Sequence, residues 1–350
     1  MSNVIRKPYT LAALATSAVI LLPASANAFE FTLSGQVNRL IMNVDNGDES
    51  GVVNADNSVS GTRVRVKGNG DIGNDLTAGL YYEYQLQSNP SSKITADDLD
   101  SDGVGGDVGG GDDFSNRNAN VWVQGNFGRV TLGQGSGAAD GSTEADLSGT
   151  TVIQYPTSNG DLLGSIEYGD SGVTVGDTRS AFDGLGRNDN LRYDAAVGDF
   201  SFAGSYGNGD KKELAARYKL ENLEVRVAWW DEASSGDGDR GAAISATWIA
   251  ENGINLTGEY SGTDASDGET DDPTNIYVKL GYKTGKSSYG IDWSETQDLG
   301  PGDGSSVSLA WVYVPMSGIE VYASYRVESI DNVDDDDDID ALIGGARVKF

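Results

Sequence analysis

The chain has 350 residues, no cysteine, no histidine and a formal net charge of −30. Without Cys there is neither a disulfide framework nor a thiolate metal site, and without His most hydrolase triads and zinc sites are excluded. The acid excess argues against nucleic acid and anionic surfaces as partners and favours cations; an acidic surface kept hydrated in a salty habitat is a compatible explanation.

In chain order, residues 1–28 stand apart. Arg6 and Lys7, an apolar stretch from Leu11 to Leu22 and the small-x-small Ala26-Asn27-Ala28 predict a secretory signal peptide, with the mature chain starting at Phe29. The apolar stretch is too short to span a bilayer comfortably, and nothing downstream comes near twenty uninterrupted apolar residues. Residues 29–350 hold 22 basic and 54 acidic residues, a charge of −32.

No helical periodicity of useful length follows. Period-two alternation instead predicts sixteen strands, over 30–44, 58–69, 76–87, 116–125, 128–134, 190–197, 200–207, 212–220, 223–231, 241–250, 254–261, 274–283, 287–296, 305–314, 319–330 and 339–350. Every second connection is a tight turn: 71–75, 126–127, 198–199, 221–222, 251–253, 284–286 and 315–318. Most of the others, at 45–57, 88–115, 135–189, 232–240, 262–273, 297–304 and 331–338, are long, glycine-rich and acidic; only 208–211 is short where the rhythm calls for a long loop. One end of the meander is clipped and the other overgrown, the asymmetry of an outer-membrane barrel.

Which way the apolar face turns follows from the second face. In the hairpin at 213–230, Leu214, Ala216 and Tyr218 alternate with Ala215, Arg217 and Lys219, and Val225, Val227 and Trp229 with Glu224, Arg226 and Ala228. In 319–330, Val321, Ala323, Tyr325 and Val327 oppose Glu320, Tyr322, Ser324, Arg326 and Glu328. A dry core would bury the charged row at great cost, whereas a water-filled lumen accepts it. Ten residues at ~3.3 Å each, tilted ~40°, cover roughly 25 Å, the height of an outer-membrane apolar band. The apolar row is therefore expected to face lipid. Large rings on apolar rows (Trp229, Trp248, Trp293, Tyr82, Tyr260, Tyr289) and Phe127, Phe200, Phe202 and Phe350 beside turns or the chain end agree with interfacial girdles. The fold class expected is all-β: a transmembrane antiparallel up-and-down β-barrel of about sixteen strands.

Several stretches carry a family resemblance: "FTLSGQVNRLIM", "GTRVRVKGNGDIGNDLTAGLYYEYQ", "RNANVWVQGNFGRVTLGQ", "GRNDNLRYD" and the closing "ARVKF". In that order, across 29–350, the chain resembles the general bacterial porins, sixteen-stranded outer-membrane trimers. The resemblance implies an inward-folded third loop, here a constriction loop region at 135–189, whose early acids Asp140, Glu144 and Asp146 would face a basic wall of Arg63, Arg117 and Arg187. Arg65 lies two residues from Arg63 on the same face. It also implies a homotrimer in lipid and lipopolysaccharide, and recognition of the terminal Phe350 by the barrel assembly machinery. Gln36 stands where the family often has a basic residue, and "AAVGDF" where it usually turns through Ser-Pro. "SIEYGDSGVTVGD" is long enough for an extra hairpin within 135–189.

The function expected is passive diffusion of small hydrophilic solutes and ions with a cation preference, without catalysis, nucleic acid, resident metal or other cofactor. The acidic 97–113 and 334–338 fit no established calcium-loop pattern and read as solvated loops capable at most of weak divalent binding. Two other readings remain. One is a solute-specific porin, favoured by the lumen-facing aromatics Tyr81, Tyr322 and Trp230; the other is a plugged surface barrel acting as an adhesin.

Overall fold

The computed structural model describes residues 29–99, 113–156, 158–232, 240–264, 271–333 and 337–350. The leader expected at 1–28 lies outside them, as do most of the acidic 97–113 loop and 334–336. Among the described residues seventeen strands run in chain order: β1 Glu30–Asp45, β2 Ser50–Asp56, β3 Arg63–Gly73, β4 Leu76–Gln87, β5 Asp113–Gly125, β6 Gly128–Ser136, β7 Arg187–Val197, β8 Phe200–Gly207 and β9 Lys211–Lys219. They continue as β10 Leu223–Glu232, β11 Arg240–Ile249, β12 Ile254–Thr263, β13 Thr274–Thr284, β14 Ser287–Gln297, β15 Asp303–Met316, β16 Ile319–Asp331 and β17 Ile339–Lys349. Two short helices, α1 Ser158–Leu163 and α2 Val175–Thr178, lie between β6 and β7.

The strands form one antiparallel meander that closes on itself through β1 and β17, from Gln36 opposite Lys349 to Asp45 opposite Asp340. Closure removes both sheet edges. Beyond β17, Phe350 completes the seam: its N–H donates to the Gly35 carbonyl at 3.0 Å and its carbonyl accepts from the Gly35 N–H at 2.8 Å. Gly35 has to be small there, because a Cβ on it would sit 2.6 Å from the Phe350 ring. β2 and β3 pair with the two halves of β1 and together make one stave, so the barrel has sixteen.

The tight turns follow their sequences. Between β3 and β4, Asn74 and Asp75 hold φ of 55° and 58°. Positive φ at both central residues gives a two-residue turn the twist that matches its flanking strands.

One difference from expectation is the second stave. Residues 45–57 do not form a long loop; most of them are β2, which joins β3 through a 3-10 turn at Ser58–Ser60. Val52 and Val53 put apolar side chains on both faces, which hides the alternation. The expected extra hairpin at 165–177 is a single bridge between Glu167 and Thr174, followed by α2.

The outward rows are apolar and exposed, among them Leu33, Leu132, Leu214, Ile244, Leu280, Leu309 and Leu342. The inward rows are mainly polar or charged along β3–β14, apart from a small apolar cluster in which Ala228, Trp230 and Ala243 pack against Ala139. Around β15–β17, β1 and β2 the inner face turns apolar. There Leu40, Met42, Val53, Val312, Ile339 and Ile343 pack against Leu162, Leu163, Ile166, Tyr168 and Val175 of the 137–186 segment.

Candidate pore lining and constriction

β3 supplies the first part of the site. Its alternation sends Val64 and Val66 outward and Arg63, Arg65 and Lys67 inward. Arg65 lies opposite Glu83 of β4, and Glu83 opposite Asn118 of β5. The β4–β5 register shifts here, with Glu83 paired to Asn118 and Tyr84 to Asn116, so Arg117 is the extra residue of a bulge. Bulges re-aim side chains, and this one brings Arg117 onto the same carboxylate. Glu83 accepts from Arg65 Nε, from Arg117 Nε at 3.0 Å and from the Tyr81 hydroxyl at 2.8 Å, and Arg63 Nη1 lies 3.8 Å away. Three expected wall residues therefore converge on one acid the sequence reading missed. Gln36, in the position where the family is often basic, donates to the carbonyls of Ser60 at 2.8 Å and Gly61 at 2.9 Å instead.

The segment between β6 and β7 supplies the second part. Its two stems meet where the Gly137 N–H donates to the Gly186 carbonyl at 3.1 Å. Both are gripped by Glu213 of β9, which accepts from the N–H of Ala139 at 3.0 Å and of Leu185 at 2.7 Å. Beyond the stem the chain lies over inward-facing side chains of the opposite wall. The Ala145 N–H donates to Ser245 Oγ at 3.1 Å, Leu147 N–H to Thr247 Oγ1 at 3.2 Å, and Gln154 Nε2 to Ser308 Oγ at 2.9 Å.

Three acids gather at 140–144 and 183. Asp140 pairs with Arg187 at 3.3 Å. Asp183, another residue not anticipated, accepts from the N–H groups of Gly141 at 2.8 Å and Thr143 at 3.1 Å and from Ser142 Oγ at 3.2 Å. Arg226 of β10 donates to the Gly141 carbonyl and, through Nε, to Glu224 at 2.7 Å; Arg217 and Lys219 each reach the same Glu224 at 2.9 Å. Burial raises the Glu144 carboxyl above its ordinary range, with the neighbouring Asp140 adding to the effect. Burial raises Asp183 further, and the charges of Glu144 and Asp140 add to it. Oxygens of Asp140, Glu144 and Asp183 lie within 4.8 Å of one another, close enough to share a divalent cation, although Arg187 and Arg226 already supply positive charge there.

Asp146 corrects an expectation. It does not face the arginines; it is buried against Lys279 of β13, which is itself fully buried. The backbone from 145 to 147 runs along β11, and an aspartate there meets a lysine rather than open water. The charged row of β16 is corrected likewise. Arg326 and Glu328 pair at 3.0 Å with no exposure, and Arg179 from the segment approaches Glu328 at 3.8 Å. They are sealed beneath protein, not bathed in a lumen. Tyr322 and Trp230 are also buried, whereas Tyr81 borders open space.

That open space is a cavity of about 1260 Å³ along β3–β10. Its wall includes Lys67, Arg129, Arg192, Arg217 and Arg226 against Asp140 and Asp194. The acids are taken, Asp140 by Arg187 and Asp194 by Arg192 at 2.8 Å.

Residues 11–335 match the family model described as Gram-negative porin. Among curated proteins none matches the chain. Solved structures with the same fold include the anion-selective porin from Comamonas acidovorans, 16% identical with a TM-score of 0.67 over 92% of this chain and 100% of that one. The outer membrane channel DcaP of Acinetobacter baumannii is 12% identical with a TM-score of 0.63 over 92% and 97%. The trimer form of OmpT, an outer membrane protein of Vibrio cholerae, is 17% identical with a TM-score of 0.60 over 92% and 100%.

Proposed function

The chain belongs to the Gram-negative porin family, and from that premise we propose that it forms a water-filled channel for passive diffusion of small hydrophilic solutes and ions. It is a bacterial outer-membrane protein. One observation carries the channel reading: an apolar exterior surrounds a cavity of about 1260 Å³ whose wall mixes apolar side chains with Lys67, Arg129, Arg192, Arg217, Arg226, Asp140 and Asp194. A homotrimer belongs to the same reading, supported by the trimer form of the Vibrio protein. Its expected surroundings are outer-membrane lipid and lipopolysaccharide, with Phe350 as the signal to the assembly machinery. We assign it no catalytic role.

Selectivity follows from where the charges stand. The acid excess predicts a cation preference, acting at the outer mouth. Those acids lie mostly on outer connections, where a screening length of about 8 Å at physiological salt confines their field. On the cavity wall both acids are paired, and of the bases Arg192, Arg217 and Arg226 are paired too, whereas Lys67 and Arg129 have no acidic partner among the described residues, so the narrow path is read as favouring anions; the Comamonas neighbour's anion selectivity is consistent with this. Reversal potentials across a planar bilayer in a potassium chloride gradient test the choice. A chloride-favouring sign is expected. A potassium-favouring sign would return control to the outer acids, and absence of conductance would refute the channel.

A further inference from the structure

Resting on the channel reading above, we propose that Lys67 and Arg129 form a recognition site for small organic carboxylates on the inner wall between the arginine cluster and the tight-turn end. β3 continues its inward basic row past Arg63 and Arg65 to Lys67, whose Nζ lies 4.9 Å from the centroid of the Tyr81 ring on β4. Arg129 of β6 stacks its guanidinium carbon 4.1 Å from the centroid of the Trp122 ring on β5, and its Nε donates to Gln124 Oε1 at 3.0 Å. The neighbouring carboxylates are already engaged, Glu83 by Arg65 and Arg117 and Asp194 by Arg192. Among the described residues, Lys67 and Arg129 are left without an acidic partner.

A cation resting on an aromatic face is held in place while its outer donors stay available. Arg129 is held through its stacked face and Nε, and its terminal N–H groups make no hydrogen bond among the described residues, which leaves them as a fork suited to a carboxylate. Register fixes the spacing: Tyr81 stands opposite Asn120, and Trp122 opposite Gly79, one inward step from Tyr81. The backbone positions of Tyr81 and Trp122 are therefore about 5 Å apart across the strands and about 7 Å along them. Gly79 makes this possible, because a Cβ there would meet the Trp122 ring at 2.4 Å. Asn118 and Asn120 complete a surface that borders the cavity. A bare halide gains only charge from such a wall. A short carboxylate also covers ring edges and accepts hydrogen bonds.

The test is single-channel current in potassium chloride with succinate added, and neutral succinamide as control. Succinate is expected to block with a saturating dose dependence and succinamide not to. Lys67→Gln and Arg129→Gln should each raise the half-blocking concentration about tenfold, the loss of one charge-assisted hydrogen bond. Raising the salt should weaken the block in the native channel, a reading that needs no variant. A conducting channel that succinate does not block, a block insensitive to salt, or one unchanged in both variants overturns the site and leaves the channel standing. A protein that does not conduct overturns both.

Discussion

Glu213 is the point at which the inward segment is most exposed to a single substitution. Its carboxylate receives the Ala139 N–H on one stem and the Leu185 N–H on the other, with Ser205 Oγ at 3.1 Å as a third donor. The clamp is close: a Cβ on Gly137 would fall 1.7 Å from Glu213 Oε2. Glu213→Gln keeps one acceptor oxygen and turns an amide NH2 toward one of the backbone N–H groups. One hydrogen bond to a charged acceptor is lost and a buried donor is left unsatisfied, together about 2–4 kcal/mol. Local opening of the stems should then rise roughly 30- to 1,000-fold, while the apolar cluster and the Arg179–Glu328 contact hold the rest of the segment. Hydrogen exchange of the detergent-solubilised protein, read at Ala139 and Leu185, measures this directly, and open-channel noise should increase in parallel. Protection at both amides unchanged within about threefold would refute the double clamp.

Two further outcomes separate residues that looked alike in the sequence. Asp146→Asn leaves Lys279 charged and buried, a loss of about 3–5 kcal/mol, so the thermal unfolding temperature should fall with little change in reversal potential; an equally stable variant with altered selectivity would reverse the assignment. Acidification acts on Glu144 and Asp183, whose folded carboxyls titrate above their ordinary values of 4.5 and 3.8. Raised carboxyls favour the folded loop fully below those values and lose that contribution as pH rises through the folded pKa. Lowering pH from 7 toward 4 should therefore tighten the segment and remove negative charge facing Arg187 and Arg226, moving the reversal potential further toward chloride. Asp183→Asn should flatten that titration, and a titration unchanged in the variant would show that another group is responsible.

The staves were legible because each separates two different solvents. Where lipid lies on one side and water or polar protein on the other, alternation is enforced residue by residue, as in β9 and β10. It failed at β2, where Val52 faces outward and Val53 meets the apolar cluster inside. Both faces are dry there, so the pattern flattens. The same cause puts Leu40, Ile41 and Met42 side by side in β1. The segment at 137–186 had no periodicity to read. Its contacts join positions more than a hundred residues apart, such as Gln154 with Ser308. Among site residues, Arg63 and Arg117 came through the family resemblance and Arg65 through its place on the same face as Arg63, yet their common acid was not named. A signal existed: Glu83 and Gln85 are polar residues on the inner row of β4, between apolar Leu80, Tyr82 and Tyr84. Asp183 could not have been found from spacing, since only the folded loop brings it to Gly141.

Net charge is the property most easily misread in a molecule of this shape. The sequence carries 24 basic and 54 acidic residues, which describes the particle as seen from bulk water. Arg63, Arg65, Lys67, Arg117, Arg129, Arg192, Arg217 and Arg226 nevertheless lie on the inner side of β3–β10, while the acidic runs at 97–112 and 334–338 fall between strands in the sequence. An ion crossing the cavity would meet Lys67, Arg129, Arg192, Arg217 and Arg226 on its wall, and at physiological salt a charge acts over only about 8 Å. Lower ionic strength lengthens that reach to about 30 Å at 0.01 M, bringing the outer acids into play. The ratio of chloride to potassium permeability should accordingly fall as the salt is diluted, and a ratio independent of salt would mean that the inner wall alone sets the field.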